Sequence, residues 1–329
     1  MPAIEVRPFR RSDRDQLTAL VNAHIGAVVP GMSVSVHTVL SDLESRPAEF
    51  ITDQWVSDRA TLVAEQGGRV AAAAHLLRYF SDDRAGADYR GLGEISWFLF
   101  WPHAPAGNPG WPDAAPAADV LMAGCLRQLA RWGVTQQGAS GDLPAPGVYG
   151  VPDQWPHVSA VYQRAGFVHA GHTEIIYLAR VSDLPGPGPA PLPGLSVRRE
   201  VGMNGTRLAA VTAGEVIGYI EVDTSQDAER QPRHGGWADV GNLRVEPGYQ
   251  RRGVATWLLG HAADWLRLAR ADNLLDYAWQ DGTDPGGPDY ASYRAFLPAV
   301  GFRELTRTRL IWARTPDTRA VQKDDHEQH

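Results

Sequence analysis

Apolar and polar residues alternate along this chain in an order that occurs once in each half. In the first half, alternation at every second residue predicts strands in IEVRPFR, GEISWFLFWP and HTEIIYLARV. It also predicts a hairpin in ATLVAEQGGRVAAAAHLLRYF, which turns at Gly67 and Gly68. Apolar residues at helical spacing predict helices in SDRDQLTALVNAHI, SVHTVLSDLESRPAEF, AADVLMAGCLRQLARWG and HVSAVYQRAGF. The first half therefore reads as a mixed α/β domain.

The second half repeats this order with two helices missing. Strands are predicted in GLSVRREV, GGWADVGNLRVEP, NLLDYAWQ and FRELTRTRLIWAR, with a hairpin in RLAAVTAGEVIGYIEVDTS. Helices are predicted from near Gln250 and in DYASYRAFLPAVGF. Only GMNGT separates the first strand from the hairpin, so the two helices that follow the first strand in the first half have no counterpart here. HTEIIYLARV and FRELTRTRLIWAR are each expected to close the sheet of their own half.

Proline and glycine separate the two halves. The segment SDLPGPGPAPLPG, residues 182–194, predicts a semi-extended linker, because proline favours extended backbone and nothing in the segment is expected to pack a core. The expected domains are residues 1–181 and 195–316, with a polar tail at 317–329. Both are α/β (α+β) in class, each with a mixed, mostly antiparallel central sheet flanked by helices.

Composition narrows the possible partners and the compartment. The 329 residues are 43% apolar and carry a net charge of −7, which favours globular cores and gives no indication of a nucleic-acid partner. Cys125 is the only cysteine, so no disulfide forms within the chain. The opening residues are charged and no apolar run reaches the length of a membrane helix, so we expect a cytoplasmic protein without membrane contact. The histidines show no metal-site spacing, and no metal is expected.

The segment VEPGYQRRGVATWLL, residues 245–259, has the features of an anion site. A strand ends before Pro247, which has no N–H to donate, and an apolar helix follows. The first turn of a helix leaves backbone N–H groups unpaired, and the small residues Gly253 and Ala255 let ligand oxygens approach them. Arg251 and Arg252 add positive charge. The pattern predicts a site of diphosphate size, and a basic surface loop stays open as the alternative.

Two motifs resemble those of a known family. V-x-P-x-x-Q-x-x-G-x-A at residues 245–255 is similar to the acetyl-CoA signature of the GNAT acetyltransferase superfamily. A helix that ends in Gly-Phe and leads into a strand, a second mark of that family, occurs at Tyr162–Phe167 and again at Leu297–Phe302. The chain thus resembles the tandem-domain GNAT N-acetyltransferases, with a layout similar to mycothiol synthase. Its second copy lacks the first two helices of the fold.

The resemblance implies where acetyl-CoA, the co-substrate, binds. The pantothenate arm is expected to pair with backbone groups of Leu243 and Val245, and the diphosphate to lie on the following loop. The thioester is expected where the fourth and fifth strands separate, at a bulge near Gly241 and Asn242. The implied binding residues are Leu243, Arg244, Val245, Gln250, Arg251, Arg252, Gly253, Val254, Ala255 and Thr256.

The resemblance also implies candidate catalytic residues. Asp239 stands six residues before Val245, where histone-type members have the glutamate that takes the proton of the amine, and Glu221 on the preceding strand is the reserve. Tyr293 lies one helical turn before Leu297, the position at which many members have the tyrosine that protonates the thiolate. The alternatives that stay open are a packing role for Tyr293 and, for Asp239, a solvated strand position or a turn cap.

The first copy lacks the marks of a phosphate site. Its loop HAPAGNPGWP contains no arginine, and Asp113 follows where phosphate would be held, although Tyr162 keeps the family's tyrosine position. The chain is therefore expected to bind one acetyl-CoA. It is expected to transfer the acetyl group to a primary amine of a small molecule. The expected oligomeric state is a monomer, whose two halves form an internal pseudo-dimer, or a homodimer. A non-catalytic acyl-CoA-binding or sensing protein and a protein or peptide N-acetyltransferase are the alternatives.

Overall fold

A computed structural model describes residues 3–44, 52–102, 113–224, 236–280 and 290–315. The chain forms two compact units. The first consists of Met1–His172 together with the chain from Thr308 onward, and the second of Thr173–Arg307. Each unit is built around one β-sheet. The expected tail at 317–329 lies outside the described residues.

The first unit has helices flanking its sheet. The sheet order is β1-β2-β3-β4-β5-β15-β7, and β4 and β5 are the one parallel pair among the registers described in this sheet. Helix α3 contacts β2 and β3, and α1 contacts β3 and β4. The elements are β1 (Ile4–Pro8), α1 (Arg14–Val28), α2 (Val36–Glu44), β2 (Val56–Gln66), β3 (Arg69–Tyr79), β4 (Leu92–Phe100), α3 (Ala115–Arg131), β5 (Gln136–Ala139), β6 (Val151–Pro152), α4 (Pro156–Arg164), β7 (Val168–His169) and β15 (Trp312–Arg314).

The second unit contains the strands β8 (Thr173–Arg180), β9 (Ser196–Gly202), β10 (Gly205–Thr212), β11 (Glu215–Asp223), β12 (Gly236–Val245), β13 (Ala271–Trp279) and β14 (Arg303–Arg309), and the helices α5 (Val254–Leu268) and α6 (Tyr290–Ala299). Its strands run in the order β14-β8-β13-β12-β11-β10-β9, and β12 pairs with β13 in parallel. The last two residues of β14, which belong to the first unit, pair with β6.

The predicted fold class is confirmed. Two mixed sheets, antiparallel in most of their pairings, are flanked by helices. In the second unit β9 and β10 are joined by a turn at Met203 and Asn204 with no helix between them, which confirms that this copy lacks the first two helices.

Two strands lie in a different sheet from the one expected. β8 pairs with β13 along Thr173–Arg180 and buries Ile175 and Tyr177 in the core of the second unit. The segment FRELTRTRLIWAR breaks at Ile311, whose φ is 56°, so that its last part, β15, pairs with β5 and buries Trp312. The expectation that each strand closes the sheet of its own half was therefore wrong. The chain enters its second unit at Thr173, nine residues before the boundary expected after residue 181.

The proline-rich segment 182–194 packs on helix α5, which corrects the expectation that it contributes nothing to a core. Leu184 and Leu192 are buried. A Cβ atom added to Gly260 of α5 would lie 2.8 Å from the carbonyl oxygen of Gly186, so this glycine lets the two backbones approach. Arg267 donates to the carbonyl of Leu184 at 2.6 Å. The segment is thus seated along the helix.

Helix α5 covers the sheet of the second unit. Its apolar face, which includes Val254, Leu258, Ala262 and Leu266, is buried together with Ile220 of β11 in one hydrophobic core. Within the described ranges, none of the helices combines the length and apolar character that crossing a membrane requires.

Candidate functional site

The strands β12 and β13 separate part-way along their length. They pair only over Gly236–Asp239 and Ala271–Leu275, and both continue beyond that point. The register between β11 and β12 shifts at Gly241, which is the extra residue of a β-bulge. The bulge predicted near Gly241 and Asn242 is confirmed. Past it, β12 has a strand partner on one side only.

The edge of β12 that faces away from β11, from Asn242 to Val245, is called the open edge below. The N–H of Glu246 donates to Ile217 on the side of β11 at 2.9 Å. Backbone groups alternate in direction along a strand, so those of Leu243 and Val245 point towards the open edge. The side chain of Gln250 donates to the carbonyl of Val245 at 2.9 Å. Gln250 thereby ties the loop to the end of the strand.

Helix α5 starts after a tight loop. A 3₁₀ turn at Pro247–Tyr249 precedes it, and the α-helix begins at Val254, four residues later than the start expected near Gln250. Gly253 is the N-cap residue and has a φ of +83°, in the left-handed region that favours glycine. The conformation of the backbone therefore requires this glycine, independently of any ligand.

The start of α5 presents unpaired backbone donors. The first helical hydrogen bond runs from the N–H of Trp257 to the carbonyl of Gly253 at 3.0 Å. The N–H groups of residues 253–256 consequently have no partner within the helix. Val254 is buried and anchors the turn, whereas Gly253 and Thr256 are exposed. The positive end of the helix dipole is thus accessible to an anion.

Two arginines flank this helix start. Arg251 and Arg252 are both exposed, and no carboxylate in the described part of the chain forms an ion pair with either. The guanidinium carbon of Arg252 lies 5.8 Å from the centre of the Tyr249 ring. Their charges are therefore available to a ligand at the helix start.

Two phenol–carboxylate pairs lie where β12 and β13 separate. Tyr277 donates through its hydroxyl to Asp239, which is half-buried, at 2.9 Å. Asp276, the residue after the last paired position of β13, is buried and accepts a hydrogen bond of 2.6 Å from the hydroxyl of Tyr293. Neighbouring side chains of a strand point to opposite faces, so Asp276 and Tyr277 lie on opposite faces of the sheet. The two pairs therefore flank the gap from both sides.

Burial gives Asp276 an unusual proton affinity. It raises the pKa of the Asp276 carboxyl to about 7, and the nearby charges of Asp239 and Glu174 act in the same direction. The hydrogen bond from Tyr293 opposes this shift. Burial and the charge of Asp276 hold the pKa of Tyr293 well above its usual value. Asp276 is therefore partly protonated near neutral pH, which suits a group in acid–base catalysis.

Glu221 has a different environment from the other two candidates. Its side chain is fully buried on β11 and accepts from Nε of Arg207 at 2.7 Å and from the N–H of Met203 at 3.2 Å. Burial opposes ionisation, but these donors and the side chain of Asn242 hold the pKa of Glu221 below its usual value. The structure thus places Asp239 and Tyr293 at the gap, and Glu221 in an ion pair beside the bulge.

The first unit uses the corresponding positions for packing. Tyr162 is buried, and its hydroxyl donates to the carbonyl of Ser140 at 2.7 Å. At the start of α3 the carboxylate of Asp113 accepts from the N–H of Ala115 at 3.0 Å, so a side chain of the protein occupies the anion position there. The loop HAPAGNPGWP lies outside the described residues. Across the described ranges, no three His, Cys, Asp or Glu side chains are grouped as metal ligands would be.

A protein-family comparison identifies the second unit. The model of the Acetyltransferase (GNAT) family matches residues 177–283, all within that unit. Residues 177–283 are therefore similar to a GNAT acetyltransferase domain, and the second unit, which contains them, is called the GNAT domain below. No curated protein matches the sequence.

Solved structures with a similar fold cover nearly all of the chain. A tandem GNAT protein from the clavulanic acid biosynthesis pathway is 14% identical, with a TM-score of 0.61 over 96% of this chain and 99% of that one. A GNAT protein from Sphaerobacter thermophilus is 13% identical, with a TM-score of 0.56 over 94% and 95%. The glucosamine N-acetyltransferase region of a fungal multi-domain β-N-acetylglucosaminidase is 13% identical, with a TM-score of 0.59 over 95% of this chain and 38% of that one. The chain thus shares its fold with tandem-domain GNAT proteins over nearly its whole length.

Sequence reasoning missed one group of the GNAT domain's gap. Asp276 and Tyr277 follow each other in the apolar strand NLLDYAWQ. A carboxylate within an apolar strand was the available signal, since buried Asp is rare unless it is paired. Its partner, Tyr293, was a candidate for a separate reason.

Proposed function

We propose that the GNAT domain transfers an acetyl group from acetyl-CoA to a primary amine of a small molecule. One observation carries this proposal: the open edge of β12 leads directly into the unpaired N–H groups at the start of α5. A long ligand with amides along its arm and a diphosphate at its end suits such a site. Its amides pair with a strand edge, and its phosphates meet the helix start.

Each residue of the loop has a role in this proposal. Backbone groups of Leu243 and Val245 pair with the arm, and Arg244 lies between them. Gln250 holds the loop to Val245, and the buried Val254 fixes the first turn. The diphosphate is held by the N–H groups of residues 253–256, by the charges of Arg251 and Arg252, and by the hydroxyl of Thr256, and the short side chain of Ala255 leaves room for it.

The two faces of the gap divide the proton transfers. On one face Asp239 takes a proton from the ammonium group of the acceptor and passes it to solvent, directly or through a water molecule. The neutral amine then attacks the thioester carbonyl, a new C–N bond forms, and the nitrogen gives up its second proton to Asp239 or to water as the tetrahedral intermediate collapses to the amide. The N–H of Leu243, which points towards the open edge, is the donor proposed to stabilise the oxyanion.

On the other face Tyr293 protonates the leaving sulfur. The C–S bond breaks with its electron pair on sulfur, and the Tyr293 hydroxyl supplies the proton. Ionised Asp276 keeps that hydroxyl occupied as a donor. Protonated Asp276 donates to Tyr293 instead, so the phenol's own proton is free to point into the gap. Asp276 then replaces the proton that Tyr293 gives up and regains one from solvent.

The acceptor is proposed to be a small amine, with an amino sugar among the compounds to try. One structural neighbour is named as a glucosamine N-acetyltransferase region, which suggests including glucosamine. A cytoplasmic location suits the free, buried Cys125.

The test combines binding with turnover. Calorimetry with acetyl-CoA is expected to show saturable binding, and a thiol assay across small amines, amino sugars and peptides is expected to show release of coenzyme A with some of the small amines. Asp239→Asn is expected to lower kcat and leave the KM for acetyl-CoA nearly unchanged. Binding without thiol release for any amine would favour a sensing role, and turnover with peptides alone would move the acceptor class.

A further inference from the structure

Four side chains form a hydrogen-bonded cluster around the β-bulge of β12: Asn204, Arg207, Glu221 and Asn242, called the bulge cluster below. Glu221 stands opposite Asn242 across the β11–β12 pair, directly beside the bulge at Gly241. Asn204 belongs to the turn between β9 and β10, and Arg207 to β10. The cluster therefore links β10, β11 and the β9–β10 turn to the bulge of β12.

Its contacts reach both sides of the bulge. Asn242 donates to Oε2 of Glu221 at 3.4 Å, and Asn204 donates to the carbonyl of Gly241 at 3.4 Å. Arg207 holds the other oxygen of the carboxylate, with Nη2 2.5 Å from Oε1. Gly241 is thus tied to the turn through Asn204, and Asn242 is tied to β10 through Glu221 and Arg207.

Two glycines make this packing possible. A Cβ atom on Gly241 would lie 2.4 Å from Cβ of Asn204, and a Cβ atom on Gly202 would lie 2.5 Å from Oε1 of Glu221. Both distances are shorter than real contacts, so larger residues would displace the turn or the carboxylate. The short turn between β9 and β10 consequently packs directly against the bulge.

We infer that Glu221 is a positioning residue, which fixes the bulge and so holds β12 apart from β13 for the thioester arm. That the bulge serves acetyl-CoA binding rests on the proposed function, whereas the role of Glu221 in fixing the bulge does not. Glu221 has no exposed surface, and its oxygens already accept from Arg207, Met203 and Asn242. An amine has no access to it, so the role of proton acceptor stays with Asp239.

Three variants separate a positioning role from that of a base. Glu221→Gln replaces a carboxylate oxygen with an amide that faces donors, and Arg207→Met removes the main donor but keeps the carboxylate. Arg207→Lys keeps the positive charge. Glu200→Gln is the matched control, because Glu200 lies 3.8 Å from Arg207 without touching the bulge.

Expected results in the full-length protein differ between the two roles. For a positioning residue, Glu221→Gln and Arg207→Met raise the KM for acetyl-CoA to a similar extent, about tenfold, and the double variant is no worse than either. Arg207→Lys recovers part of the loss. The acid limb of the pH–rate profile keeps its midpoint, because Glu221 and its charged neighbours Arg207 and Glu200 do not supply the base.

Hydrogen exchange gives a readout that needs no activity. Amides of β11 and β12 next to the bulge are expected to exchange faster in Glu221→Gln and Arg207→Met than in the wild-type protein. In the control Glu200→Gln their exchange is expected to be unchanged. Unchanged exchange in all variants would overturn the inference, as would an acid limb that disappears in Glu221→Gln or moves in Arg207→Met. Failure of the wild-type protein to bind acetyl-CoA would instead contradict the proposed function and leave the exchange result to decide on the cluster.

Discussion

At the scale of single residues, the site depends on which backbone donors are left free and which carboxylates are kept from water. Residues 253–256 offer four N–H groups because a helix start cannot pair them itself. In the first unit the equivalent helix start is closed by Asp113. There, one carboxylate of the chain already accepts from the N–H of Ala115 at the start of the helix.

The same difference can be imposed on the second unit. Thr256→Glu is expected to weaken acetyl-CoA binding at least tenfold at low salt, because a negative charge then stands where the diphosphate lies. Thr256→Gln, which matches glutamate in size but has no charge, is expected to weaken binding clearly less, through loss of the hydroxyl contact alone. Glutamate in the first turn favours the helix, so the melting temperature should not fall. Calorimetry measures the affinity of both variants for acetyl-CoA. Equal affinities of the two variants would contradict a phosphate site at this helix start.

Asp276 makes the stability of the protein depend on pH. Its pKa is about 7 in the folded state and 3.8 without the fold, so the folded state binds the proton more tightly. This contribution to stability is complete below pH 4 and is lost as the pH rises to about 7, at a cost on the order of 4 kcal/mol. Asp276→Asn is expected to lack this loss. Urea unfolding of both proteins at pH 5 and pH 8 measures the difference.

The rate of Asp276→Asn offers a second check on the same group. If protonated Asp276 frees the Tyr293 proton, kcat of the wild-type protein falls as the pH rises through about 7. The variant, whose amide always donates, is expected to lose that alkaline limb. A parallel pH dependence in the two proteins would remove Asp276 from the mechanism.

Residues whose role depends on local sequence could be predicted, and those that depend on distant packing could not. The free donors and arginines of 250–256 follow from a strand, a turn and a helix start in one short segment. The bulge at Gly241 was also accessible, because glycine in a strand often marks one. Asp276 owes its burial to β8, which precedes it by about a hundred residues and was expected in the other sheet.

At the scale of elements, the proline-rich segment and α5 form one structure. Composition alone predicts a linker there, since prolines and glycines dominate it. The two leucines that are buried, Leu184 and Leu192, carry no helical or strand period that would reveal a partner. In the sequence of helix α5, the indication of this contact was Gly260, because a glycine within a helix lowers its stability and is expected where close packing requires it.

A comparison of two helical glycines tests this contact. Gly260→Ala is expected to lower the free energy of unfolding by about 1–3 kcal/mol, because the new methyl group would meet the backbone of Gly186 at 2.8 Å. Gly26→Ala in α1, which meets nothing within 4 Å, is expected to raise it by about 1 kcal/mol. Denaturant unfolding of both variants gives the values. A stabilising Gly260→Ala would show that the segment does not sit on the helix.

At the scale of the whole molecule, two units of one fold share a chain but differ in function. Both have a parallel strand pair, β4 with β5 and β12 with β13, but β5 pairs along its whole length, whereas β13 continues beyond its pairing with β12 and leaves a gap. Only the second combines that gap with a free helix start. The first is expected to contribute no second acetyl-CoA site.

Stoichiometry tests this difference between the units. Titration calorimetry is expected to give one acetyl-CoA per chain, and Thr256→Glu to weaken that single binding event without revealing a second. Asp113→Ala, which uncaps α3, is the companion variant and is expected to leave the stoichiometry at one, because the first unit lacks the flanking arginines. Two events of similar affinity in the wild-type protein would contradict the difference.

The exchange of strands between sheets has a consequence for the order in which the chain can fold. The sheet of the second unit needs β8 and β14, and that of the first unit is incomplete until β15 arrives at residues 312–314. When residue 172 has emerged from the ribosome, the first unit therefore still lacks β15, the strand that pairs with β5. Neither sheet closes before the last of these strands emerges. Synthesis thus leaves long-lived unpaired strand edges, which nascent-chain chaperones would be expected to cover.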